Sequence, residues 1–553
     1  MRNIILVLLL MLFSSNSYSS NVLAQCTLLE NINGYTPILA SDKIESFKWL
    51  AFSDGRVLAT GTNSTNDFEN CAKIDGAGRT VLPGLIDAHG HIAALGNEMQ
   101  RVKLRGVESE SMAVSIIKDF ADKNSDSPWV LGRGWNQVLW LDGSMPTKKT
   151  LDTLGIDRPV VLNRIDDHAI WVNSKALALA GIKKSTPDPE GGKIVRDSFG
   201  EATGILIDTA MALVAQKIPP PSLMEREAAL DKAFTHLLTM GIVSVHDAGV
   251  NQNGLDAYKE RNKNGELPIR VYAMLDGSSA KINQWLKAGT SEDDNDFLSI
   301  RSVKIYADGA LGSRGAALLK PYSDDVDNKG LLILKTRDLE KSVQNILAKG
   351  FQVNVHAIGD RANRLVLDSI EKAFTNVGGR NLRNRIEHAQ VVSLEDIPRF
   401  KKLDLIASMQ PLHATSDKNM AGDRLGKQRL KGAYAWQKFI QQGTVVASGS
   451  DFPVELSNVF HGLHAAVTRQ DQNNHPPAGW LPSERLTPQQ ALRSFTLDAA
   501  FAAHQEANLG SLEKGKWADF ILVDQDIING DPKNIWKTQV LETWIAGELR
   551  FKQ

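Results

Sequence analysis

Leu85-Ile86-Asp87-Ala88-His89-Gly90-His91 is an apolar run that ends in two imidazoles spaced two residues apart. In an extended strand, residues i and i+2 point to the same side, so His89 and His91 converge. Ala88 and Gly90 between them are small and leave room for a ligand-sized object. Two converging imidazoles at the end of a buried strand make half of a metal site. On its own the pair is also compatible with two surface histidines in a loop.

Working outward, short apolar runs alternate with helical patterns. The strand-like runs are Val81–Ala88, Ile242–His246, Ile269–Met274, Val303–Ala307, Phe351–Val355, Asn384–Glu387, Leu405–Met409 and Thr444–Ser448. Helical periodicity lies between most of them, as in Glu225–Met240, Leu339–Lys349 and Arg361–Phe374. Strands alternating with helices predict a parallel sheet, and eight of them predict a closed (β/α)8 TIM-type barrel. The gap between the first two strands exceeds one helix, so an insertion is expected at about 104–220.

Both ends of the chain read as β structure. Phe47–Phe52 and Val57–Thr60 flank Asp54-Gly55, a hairpin signal. Near the other end Val540–Ile545 and Leu549–Phe551 flank Ala546-Gly547. The prediction is a small β-sandwich domain from residues 25–82 and 505–553 around the barrel at 83–504.

The first 24 residues read as a secretory signal peptide. Arg2 precedes the apolar run Ile4–Phe13, and Val22-Leu23-Ala24 offers small residues for cleavage after Ala24. A retained anchor and a lipidated Cys26 are the alternatives. Export predicts a periplasmic protein without stable membrane association after cleavage. The two cysteines, Cys26 and Cys71, would then meet an oxidising compartment, where a disulfide and two free thiols are both open. With 42% apolar residues, 23% charged residues and a net charge of −1, the 553-residue chain offers no basic surface for nucleic acid. A small-molecule partner is expected, and a homo-oligomer is compatible with this composition.

The remaining chemistry sits where predicted strands end. His356 closes Phe351–Val355, His388 closes Arg385-Ile386-Glu387, and Asp451 follows Val445–Ser450. The C-terminal strand ends form the active-site face of such a barrel. Four of only 12 histidines at such positions, plus an acid, are hard to explain as packing. Lys304 lies inside an apolar strand, where an unpaired ammonium is costly. A depressed pKa with carbamate formation, escape to solvent and pairing with Asp308 all remain open for it.

Several segments together resemble the amidohydrolase superfamily, in particular its YtcJ-like branch, which is similar to N-substituted formamide deformylases. They are Pro83–His91, Val303–Arg314, His356–Ala362, Arg385–Gln390, Gly449–Val454 and Gly510–Asp519, in that order along the chain. The resemblance implies a metal-dependent hydrolase acting on a carbon–nitrogen bond other than a peptide bond. It implies that His89, His91 and Asp451 bind one metal, that His356 and His388 bind a second, and that carboxylated Lys304 bridges them. Two zinc ions fit such mixed ligation, and other first-row metals fit the same residues. A metal-activated hydroxide would attack the carbonyl carbon, with Asp451 as base and then acid. Hydrolysis of a cyclic amide, carbamate or lactone, and a catalytically silent binding barrel, are the alternatives.

Pocket residues follow less directly. His168, in Asp166–Ser174, is a candidate to orient substrate or stabilise the oxyanion. Trp135 and Trp171 in the insertion could form an apolar wall or simply pack. Arg314 could meet a substrate anion or pair with a structural acid. His413, after the seventh strand, faces the mouth. His246 is a spare histidine and not an expected ligand.

Overall fold

The structure is a computed structural model that describes residues 26–553 except 142, 165–168 and 190–191. The predicted signal peptide at 1–24 and His168 lie outside the described residues. Eight parallel strands form the centre: β1 (Leu85–Gly90), β2 (Ile242–Val250), β3 (Arg270–Asp276), β4 (Leu298–Tyr306), β5 (Gln352–Ala357), β6 (Arg385–His388), β7 (Ile406–Met409) and β8 (Val446–Ser448). Each is hydrogen-bonded to the next in chain order from β1 to β8. Helices such as Leu223–Thr239, Thr336–Ala348 and Asp360–Val377 supply the crossovers that parallel neighbours require. They cover the outer face of the sheet, which is why β1, β6 and β7 are buried at every position and read as near-continuous apolar runs.

No ladder joins β8 to β1 among the described residues. Side chains and the following loop close that seam instead. Asp87 accepts the Ser450 amide at 3.0 Å and the Ser450 hydroxyl at 2.7 Å. The Asp451 amide donates to the His89 carbonyl at 2.7 Å, and the His91 amide to the Phe452 carbonyl at 2.9 Å. Burial pushes the Asp87 carboxyl up to about 6, against the pull of the Ser450 and His89 hydrogen bonds. The strands approach so closely here that a Cβ at Gly449 would sit 2.4 Å from the His89 nitrogen.

The predicted strand Val81–Ala88 is two strands. Thr80–Pro83 belongs to another sheet, and β1 begins at Leu85. Pro83 has no amide to continue a ladder, and a Cβ at Gly84 would lie 2.5 Å from the Val243 side chain. The chain therefore changes sheets at Pro83-Gly84.

The ends of the chain pack as two sheets. One is ordered Arg56–Gly61, Trp49–Ser53, Thr27–Glu30, Ala72–Asp75. The other is ordered Glu548–Lys552, Val540–Ile545, Phe520–Val523, Thr80–Pro83, Asn33–Pro37, Ile44–Phe47. Leu29, Phe52 and Val57 meet Val81, Phe520 and Leu522 in a shared core. Both hairpins turn on left-handed pairs, Asp54-Gly55 at φ 50° and 75° and Ala546-Gly547 at φ 49° and 71°, as two-residue turns between twisted strands require. A disulfide joins Cys26 to Cys71 across a Cα–Cα distance of 4.7 Å. The thiol alternative is thereby set aside.

The insertion starts slightly earlier than the sequence suggests, with the strand Val102–Lys103. Its sheet runs Gly192–Arg196, Ala202–Asp208, Ala169–Val172, Val160–Arg164, Val130–Trp135, Val102–Lys103. It has its own core, which corrects one expectation. Trp135 and Trp171 are fully buried in that core, with ring centroids 6.3 Å apart, and form no wall of the catalytic cavity. Their indole N–H groups donate to the Leu162 and Thr147 carbonyls. Large aromatic surfaces are what a separate inserted core needs to hold together. No helix among the described residues is long and apolar enough to cross a membrane.

Candidate metal centre

Parallel pairing aligns the C-terminal ends of the strands, so residues distant in sequence meet at one mouth. His89 and His91 arrive on and just after β1, Lys304 from within β4, His356 from β5 and His388 from the end of β6. His413 comes from the helix Pro411–Asp417 that follows β7, and Asp451 from the loop after β8. The structure thus brings together all six predicted ligands and His413. Nitrogen and oxygen atoms of His89, His91 and Asp451 lie within 4.8 Å of one another, and so do those of His388, His413 and Asp451.

Each ring is set by a partner on its far nitrogen. His89 Nδ1 donates to Glu387 Oε2 at 2.5 Å, His91 Nδ1 to the Ala248 carbonyl at 2.8 Å, and His388 Nδ1 to Gln410 Oε1 at 2.8 Å. At His89 and His388 a protonated Nδ1 leaves the unprotonated Nε2 pointing into the mouth, the form that ligates a metal. His91 Nε2 lies 3.1 Å and His89 Nε2 3.6 Å from Asp451 Oδ1, and His413 Nε2 lies 3.5 Å from Oδ2. The rings of His388 and His356 are 4.5 Å apart.

Electrostatics match these positions. Burial holds His89 and His388 below the ordinary histidine value and pushes His356 down to about 3, so these rings are neutral. Burial works against ionisation of Asp451, but the His91 hydrogen bond and the fields of His89, His388 and His413 outweigh it and hold the carboxyl well below its usual range. Glu387 behaves alike: burial is overcome by His89, Arg385 and Lys304, and it is held at about 2.

Lys304 is 1% exposed, and its Nζ lies 3.1 Å from His89 Nε2. Burial pushes the amine down to about 8. It neither reaches solvent nor pairs with Asp308. That carboxylate accepts the amides of Ala317, Ile358 and Gly359 at 2.8–2.9 Å and so pins two loops. Two of the candidate ligands stand at or beside strained backbone: Asp451 has φ 62°, and His388 and Ala389 have φ 73° and 42°. Non-glycine residues in this region are held there by their surroundings, often at functional sites.

The residues fit a divalent cation. The donor set is imidazoles with an ionised carboxylate. Among the described residues the buried Nε2 atoms of His356 and His413 have no hydrogen-bond partner, and a cation would give them one.

The mouth opens into a cavity of about 330 Å³ whose further wall includes Tyr306, Leu311, Ile358, Gln390, Val454 and Glu455. Arg314 is not on this wall. It pairs with Asp324 at 3.0 Å and lies 3.9 Å from Asp325, so it meets structural acids. His246 is buried against Arg385, 3.0 Å from its Nη1, and is not among the clustered ligands. Sequence reasoning did not single out Glu387 or Gln410. Glu387 precedes His388, which it did select, but side-chain alternation along a strand turns adjacent residues apart, and the left-handed backbone at His388 brings both inward. Gln410 lies three residues before His413 and carries no local signal of its own.

The model of the Amidohydrolase family matches residues 72–551. "Protein LONG AFTER FAR-RED 3" of Arabidopsis thaliana is 34% identical, over 91% of this chain and 88% of that protein. "Putative amidohydrolase YtcJ" of Bacillus subtilis is 31% identical, over 94% and 98%. "N-substituted formamide deformylase" of Arthrobacter pascens is 25% identical, over 91% and 94%. The crystal structure of an uncharacterized metal-dependent hydrolase from Pyrococcus furiosus superposes with a TM-score of 0.75 at 29% identity, over 91% of this chain and all of that one. With the barrel, the clustered imidazoles and the ionised Asp451 carboxylate, these similarities lead to one conclusion: the chain belongs to the amidohydrolase family, as a metal-dependent hydrolase.

Proposed function

We propose that this protein hydrolyses a carbon–nitrogen bond, other than a peptide bond, in a small molecule. The observation that carries the reading is Asp451, an ionised carboxylate placed between two sets of imidazoles at the floor of a cavity. The deformylase relative, named for an N-substituted formamide, supports an amide-like substrate.

His89, His91 and Asp451 would hold one zinc ion, and His356 and His388 a second, with His413 close enough to join. Lys304 would lie between them as the carbamate formed when its amine adds to carbon dioxide and loses one proton. Its burial without an ion pair among the described residues supports that role. When bound, divalent cations supply Lewis acidity toward a carbonyl oxygen and toward water. The chain's own contribution is proton transfer and positioning. Asp451 accepts a proton as water adds to the carbonyl carbon, then delivers it to the departing nitrogen, which leaves as a neutral amine. His413, facing the second oxygen of Asp451, keeps that carboxylate turned toward the reacting atoms. Leu311, Ile358 and Val454 offer apolar surface to the remainder of the substrate. Export to the periplasm is part of the same reading, supported by the leader-like residues 1–24 and the Cys26–Cys71 bond.

Elemental analysis and a panel of N-formyl and N-acyl amines test this. About two zinc-like ions per chain and release of free amine are expected. Asp451→Asn should keep most of the metal and lose about 10²–10⁴-fold in turnover. Turnover at the parent rate would remove Asp451 from the proton path.

A further inference from the structure

The wall of the catalytic cavity carries one acid without a partner. Glu455 is half-buried there, and among the described residues it makes no hydrogen bond and no ion pair. Neighbouring charges are all committed. Asp417 Oδ2 accepts the Tyr434 hydroxyl at 2.7 Å and the Gln390 amide at 3.0 Å. Lys418 binds Asp471 at 2.9 Å, and Arg314 and Arg424 converge on Asp324. The one lysine or arginine on the described wall is Lys304, buried and turned to His89.

Glu455 also borders a second, polar cavity of about 210 Å³ beside the first, walled by Thr415, Ser416, His461 and Gln470 among others. It stands where the two spaces meet. Val454 and Leu456 on either side of it are 65% and 58% exposed, so the acid is framed by apolar surface. A carboxylate so framed meets a cation on a hydrocarbon stem well: the stem covers the apolar flanks and the charged ends pair. An anion in the same place would face Glu455 and Asp417 with no free cationic side chain to offset them.

We infer that Glu455 selects the substrate, taking an ammonium or amidinium group on its non-reacting end and turning away substrates that carry a carboxylate there. This rests on the carbon–nitrogen hydrolase reading and adds a substrate class to it.

The test uses zinc-loaded protein and three N-formylbenzylamines that differ only at the para position: aminomethyl, carboxamide or carboxylate. The quantity read is the ratio of kcat/KM for the charged compound to that for the neutral one, within each variant, so a general loss cancels. In the parent the cation should lead and the anion should trail. Glu455→Gln should lower the cation-to-neutral ratio about tenfold, the scale of one partly exposed charge-assisted hydrogen bond. Glu455→Lys should reverse the order. Ratios unchanged in both variants overturn the inference and leave the hydrolase reading standing. If no formamide is cleaved, the hydrolase reading is in question, and binding decides the inference alone. By calorimetry the parent should prefer benzamidine to benzamide, and Glu455→Gln should erase that preference. An equal preference in both proteins overturns it.

Discussion

Glu387→Gln probes how the centre is held. Glu387 is wholly buried, with Oε2 2.5 Å from His89 Nδ1 and Oε1 3.9 Å from Arg385 Nη1. Glutamine keeps the shape and an acceptor oxygen but removes the charge. His89 loses basicity, and the amide can also turn its NH2 toward Nδ1, which would favour the wrong tautomer. Loss of such a supporting partner typically lowers metal affinity by about 10–100-fold. That corresponds to roughly 1.4–2.7 kcal/mol. The penalty should fall on one ion only. His89 groups with His91 and Asp451, whereas His388 is supported separately by Gln410. Competition for zinc with a chromogenic chelator resolves the two classes. One class should weaken within that range while the other stays nearly constant. Two classes that both match the parent would refute the argument that Glu387 orients His89, and equal weakening of both would refute their independence.

Other expectations are as direct. Lys304→Ala should reduce bound metal on elemental analysis, and undiminished metal would mean that the centre does not use a bridge from β4. Arg270 and Asp519 form a buried bidentate pair at 2.7 and 3.0 Å that ties β3 to the terminal sheets. Asp519→Asn strands the guanidinium and should cost about 3–5 kcal/mol. With an unfolding entropy of about 2.1 cal/mol/K per residue, or roughly 1 kcal/mol/K for a chain this long, the Tm should drop by about 3–5 °C in calorimetry. An unchanged Tm would show that this pair does not couple the two parts. Glu506 is opposed by burial but held below its ordinary value by two 2.7 Å hydrogen bonds from Arg383. A carboxyl whose folded pKa is depressed adds stability above its unfolded pKa and loses it as pH falls through the folded one. The Tm advantage of the parent over Glu506→Gln should therefore be full at neutral pH and shrink below about pH 4.5, with the usual glutamate value as the upper edge of the window. An advantage independent of pH would remove the pair from that role.

Much of this was legible in the sequence, for identifiable reasons. Barrel strands are buried on both faces, so they appear as apolar runs, and polar residues at their ends stand out. That placed His89, His91, His356, His388 and Asp451. Both hairpins were readable because left-handed turns restrict residue choice to pairs such as Asp54-Gly55. The rest was not legible, for different physical reasons. Trp135 and Trp171 look like pocket aromatics until the insertion is seen to have its own core, a tertiary fact without a local signature. Arg314 has its acids only ten and eleven residues onward in a loop, and nothing in the spacing of Asp324 and Asp325 marks them as its partners. Val81–Ala88 contained its own warning in Pro83-Gly84. Glu387 escaped notice because the backbone reversal at His388 cannot be read from alternation.

That no ladder joins β8 to β1 among the described residues has a mechanical meaning. A barrel resists deformation through hoop continuity, and here the hoop is completed by Asp87, Ser450 and the backbone of His89, His91, Asp451 and Phe452. The clasp of the cylinder and the donor atoms of the centre are therefore the same stretch of chain. Whatever grips His89, His91 and Asp451 from within the mouth also rivets the cylinder shut. Amides at 89–91 and 450–452 would then report on both at once, and slow hydrogen exchange there would be a gauge of occupancy as much as of folding.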